Sequence, residues 1–381
     1  MKVYLDNAAS SPMALEVFEH MKPYFLEFQG NPSSTHAHGR HLRNAIEDAR
    51  RIIATNLKVS PSEIFFTSGG TESDNTAIVG AVKSHHIQHI ISARTEHHAV
   101  THTLEHLEAE GKVSVTWLSV DAQGHIDLAE LEEVLGRTPQ TLVSLMHGNN
   151  EIGTLHDIAA IGEICRRHKA LFHSDTVQTM GNVALDFSQI PVDFAAASAH
   201  KFYGPKGAGF MFVRKGVKIP ALIYGGGQER NMRAGTENVA FIAGVACAFD
   251  HCNQTMAQKT AHILGLKNYM KAQLQEQIPG VRFNGETDPQ RSLPSVLNTT
   301  FPCGEEDAML LFHLDLAGIS ASGGSACSSG ALMGSHVLRE IGADKETLLN
   351  SVRFSFGVQN TKAEIDYVVE TVKKLVPQTV R

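Results

Sequence analysis

The segment Ser198-Ala199-His200-Lys201-Phe202-Tyr203-Gly204-Pro205 puts an amine at the end of a small-residue, strand-like run and just before a Gly/Pro turn. A lysine so placed can hold a carbonyl cofactor as an imine once burial or a neighbouring charge lowers its pKa. A solvated surface lysine is the ordinary alternative, so the reading depends on what else converges there. Asp175, in His173-Ser174-Asp175-Thr176-Val177-Gln178, also ends a short apolar strand pattern. A buried carboxylate needs a cationic partner. A protonated pyridine nitrogen is such a partner, and holding it protonated lets the ring accept electrons from a carbanion. The plainer role for Asp175 is a helix N-cap. Gln178 is within chain reach of the ring hydroxyl of such a cofactor.

Further strand ends carry groups of matching chemistry. Thr67-Ser68-Gly69-Gly70-Thr71-Glu72 joins a strand, a glycine turn and a helix start. The free amides and positive end of that helix suit a phosphate, and Thr71 adds a hydroxyl. The spacing is neither a Rossmann fingerprint nor a P-loop, and an ordinary capped turn has the same composition. In Thr95-Glu96-His97-His98 an imidazole can stack on a flat ring and move protons near neutral pH, with His98 the better candidate for a surface residue. Asn150, in Gly148-Asn149-Asn150-Glu151, can donate to a ring hydroxyl or to a substrate carboxylate.

The elements that must position these groups alternate. Ile64 to Thr67, His89 to Ser92, Val113 to Val120, Thr141 to Met146, Leu171 to Asp175, Phe194 to Ala199 and Gly209 to Val213 read as strands. Helical spacing follows Glu72 and recurs over Ala99 to Glu110, Asp127 to Leu135 and Asp157 to Lys169. Alternation of this kind implies an α/β fold with a mostly parallel sheet covered on both faces, and ligands beyond the carboxyl ends of its strands. After about residue 255 the texture changes to a polar helix, Thr255 to Gln277, then Pro/Gly punctuation and shorter elements, which predicts a second, smaller domain.

Together with Tyr4-Leu5-Asp6-Asn7-Ala8-Ala9, Gly30-Asn31-Pro32-Ser33-Ser34, Gly225-Gly226-Gly227-Gln228-Glu229-Arg230, Arg233-Ala234-Gly235-Thr236-Glu237-Asn238 and Ser351-Val352-Arg353-Phe354-Ser355, these blocks resemble the cysteine desulfurases. Those belong to the class V aminotransferases among fold-type I pyridoxal-phosphate enzymes. The resemblance implies a large domain over residues 14–256, with a mostly parallel seven-stranded sheet between helices. It implies a smaller α+β domain from residues 1–13 and 257–381. It assigns the cofactor imine and the Cα proton to Lys201, the ring nitrogen to Asp175 and the ring stack to His97. Gly70, Thr71, Ser198 and His200 would hold the phosphate, and Asn150 and Gln178 the ring-oxygen side. Thr236 would reach the phosphate of a neighbouring subunit, which implies a homodimer. Arg353, with Asn150, would bind the substrate carboxylate.

Ser322-Gly323-Gly324-Ser325-Ala326-Cys327-Ser328-Ser329-Gly330 separates the desulfurases of this family from its aminotransferases. Its glycines and serines predict a loop on which a thiol can enter the site, take sulfur and leave. The block resembles the long-loop branch used for iron–sulfur cluster assembly; the Arg-x-Gly-His-x-Cys block of the other branch is absent from the sequence. The implied reaction converts L-cysteine to L-alanine and passes sulfur as a Cys327 persulfide to an acceptor protein such as an iron–sulfur scaffold. Departures from the usual pattern are Thr176 after the aspartate, Asn231 where glycine is common, and Met333-Gly334 after the loop. Cys165, Cys247 and Cys252 read as packing residues, and Cys303 is given no role.

Composition bounds the alternatives. The 381 residues are 42% hydrophobic and 19% charged, with net charge −7 and five cysteines in no Cys-x-x-Cys pair. That fits a cytoplasmic protein with reduced thiols, with no nucleic-acid partner and no membrane span expected. Met1 to Asn7 reads as a strand, not as a signal segment. His102 and His106 stand one helical turn apart, a spacing that can serve a metal, but no third ligand is placed for it and no metal is expected. The rival readings are a selenocysteine lyase or other class V enzyme on the same fold, which would not need Cys327, and a non-catalytic assembly module, which would make no alanine.

Overall fold

The computed structural model describes residues 1–303, 309–323 and 334–376. In chain order, β1 (Val3–Tyr4) precedes α1 (Leu15–Leu26) and α2 (Ala37–Leu57). The alternating region follows: β2 (Ile64–Thr67), α3 (Gly70–Ser84), β3 (His89–Ala93), α4 (His98–Ala109), β4 (Ser114–Leu118), α5 (Leu128–Leu135), β5 (Thr141–Ser144), α6 (Ile158–His168), β6 (Leu171–Asp175), β7 (Phe194–Ser198) and β8 (Gly209–Val213). Then come α7 (Val239–Gln254), α8 (Met256–Gln277), β9 (Arg282–Asn284), β10 (Val296–Thr300), α9 (Leu310–Leu316), β11 (Ile319–Ser320), α10 (His336–Glu340), α11 (Lys345–Asn350), β12 (Ser351–Ser355) and α12 (Lys362–Leu375).

Local chemistry sets many of the boundaries. Asp127 and Asp157 cap α5 and α6 by accepting backbone N–H groups of their first turns. Lys169 ends α6 in the left-handed conformation. Thr361 and Glu364 form a reciprocal capping box at the start of α12. Asp175 caps no helix: residues 176–182 form turns, and its Oδ1 accepts the Val177 N–H at 2.8 Å instead. At Asn231, where the related pattern has glycine, φ is +66°, a conformation that asparagine tolerates better than most residues.

The seven-stranded sheet has the order β2-β8-β7-β6-β5-β3-β4. Only β8 runs against the others, pairing antiparallel with both β2 and β7. The carboxyl ends of β2, β3, β5, β6 and β7 therefore lie on one edge. β7 is Phe-Ala-Ala-Ala-Ser and fully buried; its small side chains let α3 pack across it. One apolar layer joins α1, α2 and α7 to a face of the sheet through Met21, Ile46, Phe210 and Phe249. The other face packs on α3 and α4 through Ile78, Val100 and Leu104.

A separate cluster contains Leu5, Leu266, Phe301, Phe354 and Val368. There β1 pairs parallel with β11, and β12-β10-β9 form an antiparallel sheet. The chain's first strand thus packs with its last third, a placement that residue spacing did not reveal.

Candidate active site

A cavity of about 220 Å³ opens at the carboxyl edge of the seven-stranded sheet. Gly70, Thr71, His97, Asn150, Asp175, Gln178, Ser198, His200, Lys201 and Arg353 all line it, gathered from β2–α3, β3–α4, the ends of β5, β6 and β7, and from β12. Thr236 is exposed and does not line it. Cys327 lies outside the described residues.

Lys201 ends a single turn of 3-10 helix, Ala199–Lys201, directly after β7. Its Nζ donates to the carbonyl oxygens of Ala8 at 2.5 Å and Ala9 at 2.9 Å. Asn182 holds the Lys201 carbonyl from behind at 3.3 Å. Gln178 Nε2 also donates to Ala8 O, at 3.0 Å. The segment after β1 is therefore part of the cavity wall, although neither Ala8 nor Ala9 carries side-chain chemistry that points there. The signal was present, because Tyr4 to Ala9 was itself one of the blocks of the resemblance.

Asp175 is 6% exposed. Burial pushes its pKa up, while His97, the Val177 N–H and Lys201 pull it down. A cationic ring nitrogen is the kind of partner that keeps such a carboxylate ionised. His97 is the N-cap of α4, and its Nδ1 accepts the Ala99 N–H at 3.1 Å. The neutral ring therefore carries its proton on Nε2. Burial lowers the His97 pKa, with Asp175 opposing and Lys201 adding to the shift. Burial and the positive charges of Lys201 and Lys206 push His200 down to about 4, so it is neutral at physiological pH. Its Nδ1 lies 3.2 Å from Ser10 Oγ.

The start of α3 forms a cradle. Gly69 has φ +147°, and a Cβ on Gly70 would meet Val177 Cγ2 at 2.6 Å, so glycine is required for the close approach. Gly70, Thr71, Ser198 and His200 also line a neighbouring recess with Ser10 and Lys206. Main-chain N–H groups at a helix start, the hydroxyls of Ser10, Thr71 and Ser198, and a lysine form a donor set suited to a phosphate monoester.

The opposite wall is made by Asn150 and Arg353. Asn149 fixes the turn after β5: its Oδ1 accepts the N–H groups of Glu151 and Ile152, and its Nδ2 donates to Thr95 O. Arg353, 1% exposed, donates from Nη1 to Asn150 O at 2.9 Å and from Nη2 to Asp6 Oδ1 at 2.7 Å.

Several acids here had no predicted role. Asp74 lines the cavity, with its Oδ1 3.2 Å from His173 Nε2. Glu96 Oε1 accepts the Met146 N–H at 2.6 Å. Burial, reinforced by the charge of Asp175, raises the pKa of Asp74 and Glu96 well above the ordinary range. His102, half of the pair spaced for a metal, instead stacks on His98 at 4.5 Å between ring centroids. His106 pairs with Glu110 at 3.4 Å.

The strand order and the cavity at the strand ends define an α/β enzyme of the fold-type I pyridoxal-phosphate class. Residues 3–368 match the aminotransferase class-V family, and the chain belongs to it. A protein of Clostridium botulinum named cysteine desulfurase IscS is 42% identical over 380 residues, covering 99% of this chain and 95% of that one. Among solved structures, a NifS-like protein superimposes with TM-score 0.90 at 35% identity, covering 98% of this chain and 99% of the other. Another, described as SspA in complex with cysteine, gives TM-score 0.82 at 32% identity over 94% of this chain and 100% of that one. Enzymes of this family depend in general on pyridoxal phosphate. Among the described residues, no helix is long and apolar enough to cross a membrane.

Proposed function

We propose that this protein is a pyridoxal-phosphate-dependent cysteine desulfurase that converts L-cysteine to L-alanine and carries the released sulfur as a persulfide on Cys327. The observation that supports this most is the meeting of Lys201, Asp175, His97 and Arg353 around one cavity in a chain of this family. The donor set fits the cofactor from end to end. Gly70, Thr71, Ser198 and His200 would hold its phosphate, Asp175 its ring nitrogen, and His97 a ring face. Gln178 and Asn150 would hold its ring-oxygen side, and Lys201 its aldehyde carbon. When bound, pyridoxal phosphate supplies a carbonyl for the substrate amine and a sink for negative charge at Cα.

The chain's own groups then divide the work. Arg353 receives the substrate carboxylate, with Asn150 beside it. Lys201, anchored on Ala8 O and Ala9 O, is the base for the Cα proton. His97, with its proton on Nε2, is placed to exchange a proton with a thiol in the cavity. Cys327 attacks the substrate sulfur as a thiolate. The new S–S bond forms as the C–S bond breaks, the C–S electron pair stays with the carbon skeleton, and that skeleton gains a proton at Cβ, regains one at Cα and leaves as L-alanine.

Further parts of the reading rest on family membership. The protein acts as a homodimer in which Thr236 contacts the neighbouring subunit's cofactor phosphate. It works in the cytoplasm and delivers sulfur to an acceptor such as an iron–sulfur scaffold protein. Residues 14–256 form the cofactor-binding domain, and residues 1–13 with 257–381 form the smaller one; the separate apolar clusters support that division. The test is to incubate holoenzyme with L-cysteine and a reductant and to measure alanine and sulfide. Wild type should yield both in equal amounts, and Cys327→Ala should yield neither. Equal sulfide from both proteins would refute the persulfide step.

A further inference from the structure

Arg353 is almost wholly buried in the cavity wall, and its guanidinium is already paired. Nη2 donates to Asp6 Oδ1 at 2.7 Å, and Nη1 donates to Asn150 O at 2.9 Å. Its Nε is buried and has no hydrogen-bond partner among the described residues. A planar guanidinium carries five N–H donors in a fixed fork, so donors remain for a ligand beside the pair already formed. Asp6 is held there by main-chain geometry. It forms a bridge with Ser355 beyond the end of β1, and Ser355 N donates to Leu5 O at 2.7 Å. The Asp6 carboxylate is 20% exposed, whereas the Arg353 side chain is 2% exposed. Two and three residues further on, Ala8 and Ala9 supply the carbonyl oxygens that hold Lys201.

A buried cation is costly without a counter-ion, and a carboxylate fixed by backbone pairing supplies one before any substrate arrives. The incoming amino acid brings a second carboxylate to the same fork. That carboxylate is attracted by Arg353 and repelled by Asp6. Substrate and product of the proposed reaction carry the same α-carboxylate. Gripping it more tightly would bind both equally and would not raise turnover.

We propose that Asp6 is a built-in counter-ion that competes with the substrate's carboxylate for Arg353 and thereby sets how loosely the site holds amino acids. This rests on the reading of Arg353 as the carboxylate clamp. The charge of Asp6, not its hydrogen bond, is the quantity that matters. Asp6→Asn keeps an acceptor for Nη2 and removes the repulsion.

The experiment is calorimetric titration of holoenzyme with L-alanine and, separately, with ethylamine, which lacks the carboxylate. Asp6→Asn should bind L-alanine on the order of tenfold more tightly than wild type, the partial exposure of Asp6 having been discounted. Ethylamine affinity should not change. Asp6→Ser, smaller and still an acceptor, should shift alanine affinity in the same direction and serves if Asp6→Asn does not fold. Unchanged or weaker alanine binding by the folded variant would overturn the proposal, as would equal tightening for ethylamine. Arg353→Gln separates the two levels. If it binds L-alanine as well as wild type does, the clamp reading itself fails. If it binds weakly while Asp6→Asn matches wild type, only the role of Asp6 is lost.

Discussion

The two walls of the cavity are built by different means. The wall at the sheet edge is assembled from the ends of parallel strands and one helix start, where Asp175 and His97 are held by bonds two residues along the chain, to Val177 N–H and Ala99 N–H, and Glu96 ties one strand end to another through Met146 N–H. The opposite wall is assembled from distant pieces of chain. Arg353 on β12 reaches Asp6 across 347 residues and Asn150 across 203. The first wall holds the groups suited to cofactor chemistry, and the second holds the group suited to recognising a carboxylate. Asp175 and His97 are thus fixed by the sheet edge, Lys201 is fixed by the sheet edge and the N-terminal segment together, and Arg353 depends on how that segment and the C-terminal sheet meet.

Substitutions on the two walls should therefore fail differently. The largest effect is expected for Lys201→Ala, which removes both the cofactor anchor and the base. Alanine formation from L-cysteine should fall by at least about 10³-fold while the protein still folds. Asp175→Asn should follow, with a loss of about 10²- to 10³-fold in kcat and weaker cofactor retention, read from visible absorbance after dialysis. Arg353→Gln should act mainly on KM for L-cysteine, raising it by about 30-fold or more, because a buried charge-assisted contact is lost. A kcat loss as large as that of Asp175→Asn would erase the division between the walls.

Smaller effects test the frame behind the site. Burial pushes His147 down to about 4, and His156 and His173 down to about 3, from 6.5. The unfolded chain therefore takes up protons first as pH falls. The stability that these histidines supply is complete above about pH 6.5 and is lost progressively toward pH 4 and 3. Asp74 and Glu96, whose pKa values are raised, run the other way: their contribution is complete at low pH and lost as pH rises through their folded values. The histidines should dominate between pH 6.5 and 5, so the melting midpoint should drop by about 5 °C or more across that interval. A flat profile would contradict the burial of neutral imidazoles. The smallest change is expected for Asn231→Gly. It removes a side chain from a left-handed position and should alter stability by less than about 1 kcal/mol in chemical denaturation.

The sheet-edge wall was largely legible in the sequence. Its groups stand at ends of short apolar runs, and alternation of strands and helices brings such ends to one edge. Asp175 and Lys201 were readable for that reason. The role of Arg353 comes from resemblance alone, since nothing local marks it, whereas Cys327 is marked locally by its Gly/Ser-rich block and resemblance adds the sulfur chemistry. Asp6 was invisible as a partner of Arg353, because a contact across 347 residues leaves no periodic trace. Asp74 has no local mark that separates it from an ordinary helix acid near the start of α3, and only the packing of α3 over β6 and β7 turns it toward His173.

The central claim is that the amine of Lys201 carries the cofactor. Borohydride reduction of the holoenzyme fixes any such linkage, and peptide mapping then finds the pyridoxyl group. A single modified lysine, Lys201, is expected in wild type, with no label in Lys201→Ala. A pyridoxyl group on Lys206, which lines the adjoining recess, or no covalent label in wild type would contradict that linkage.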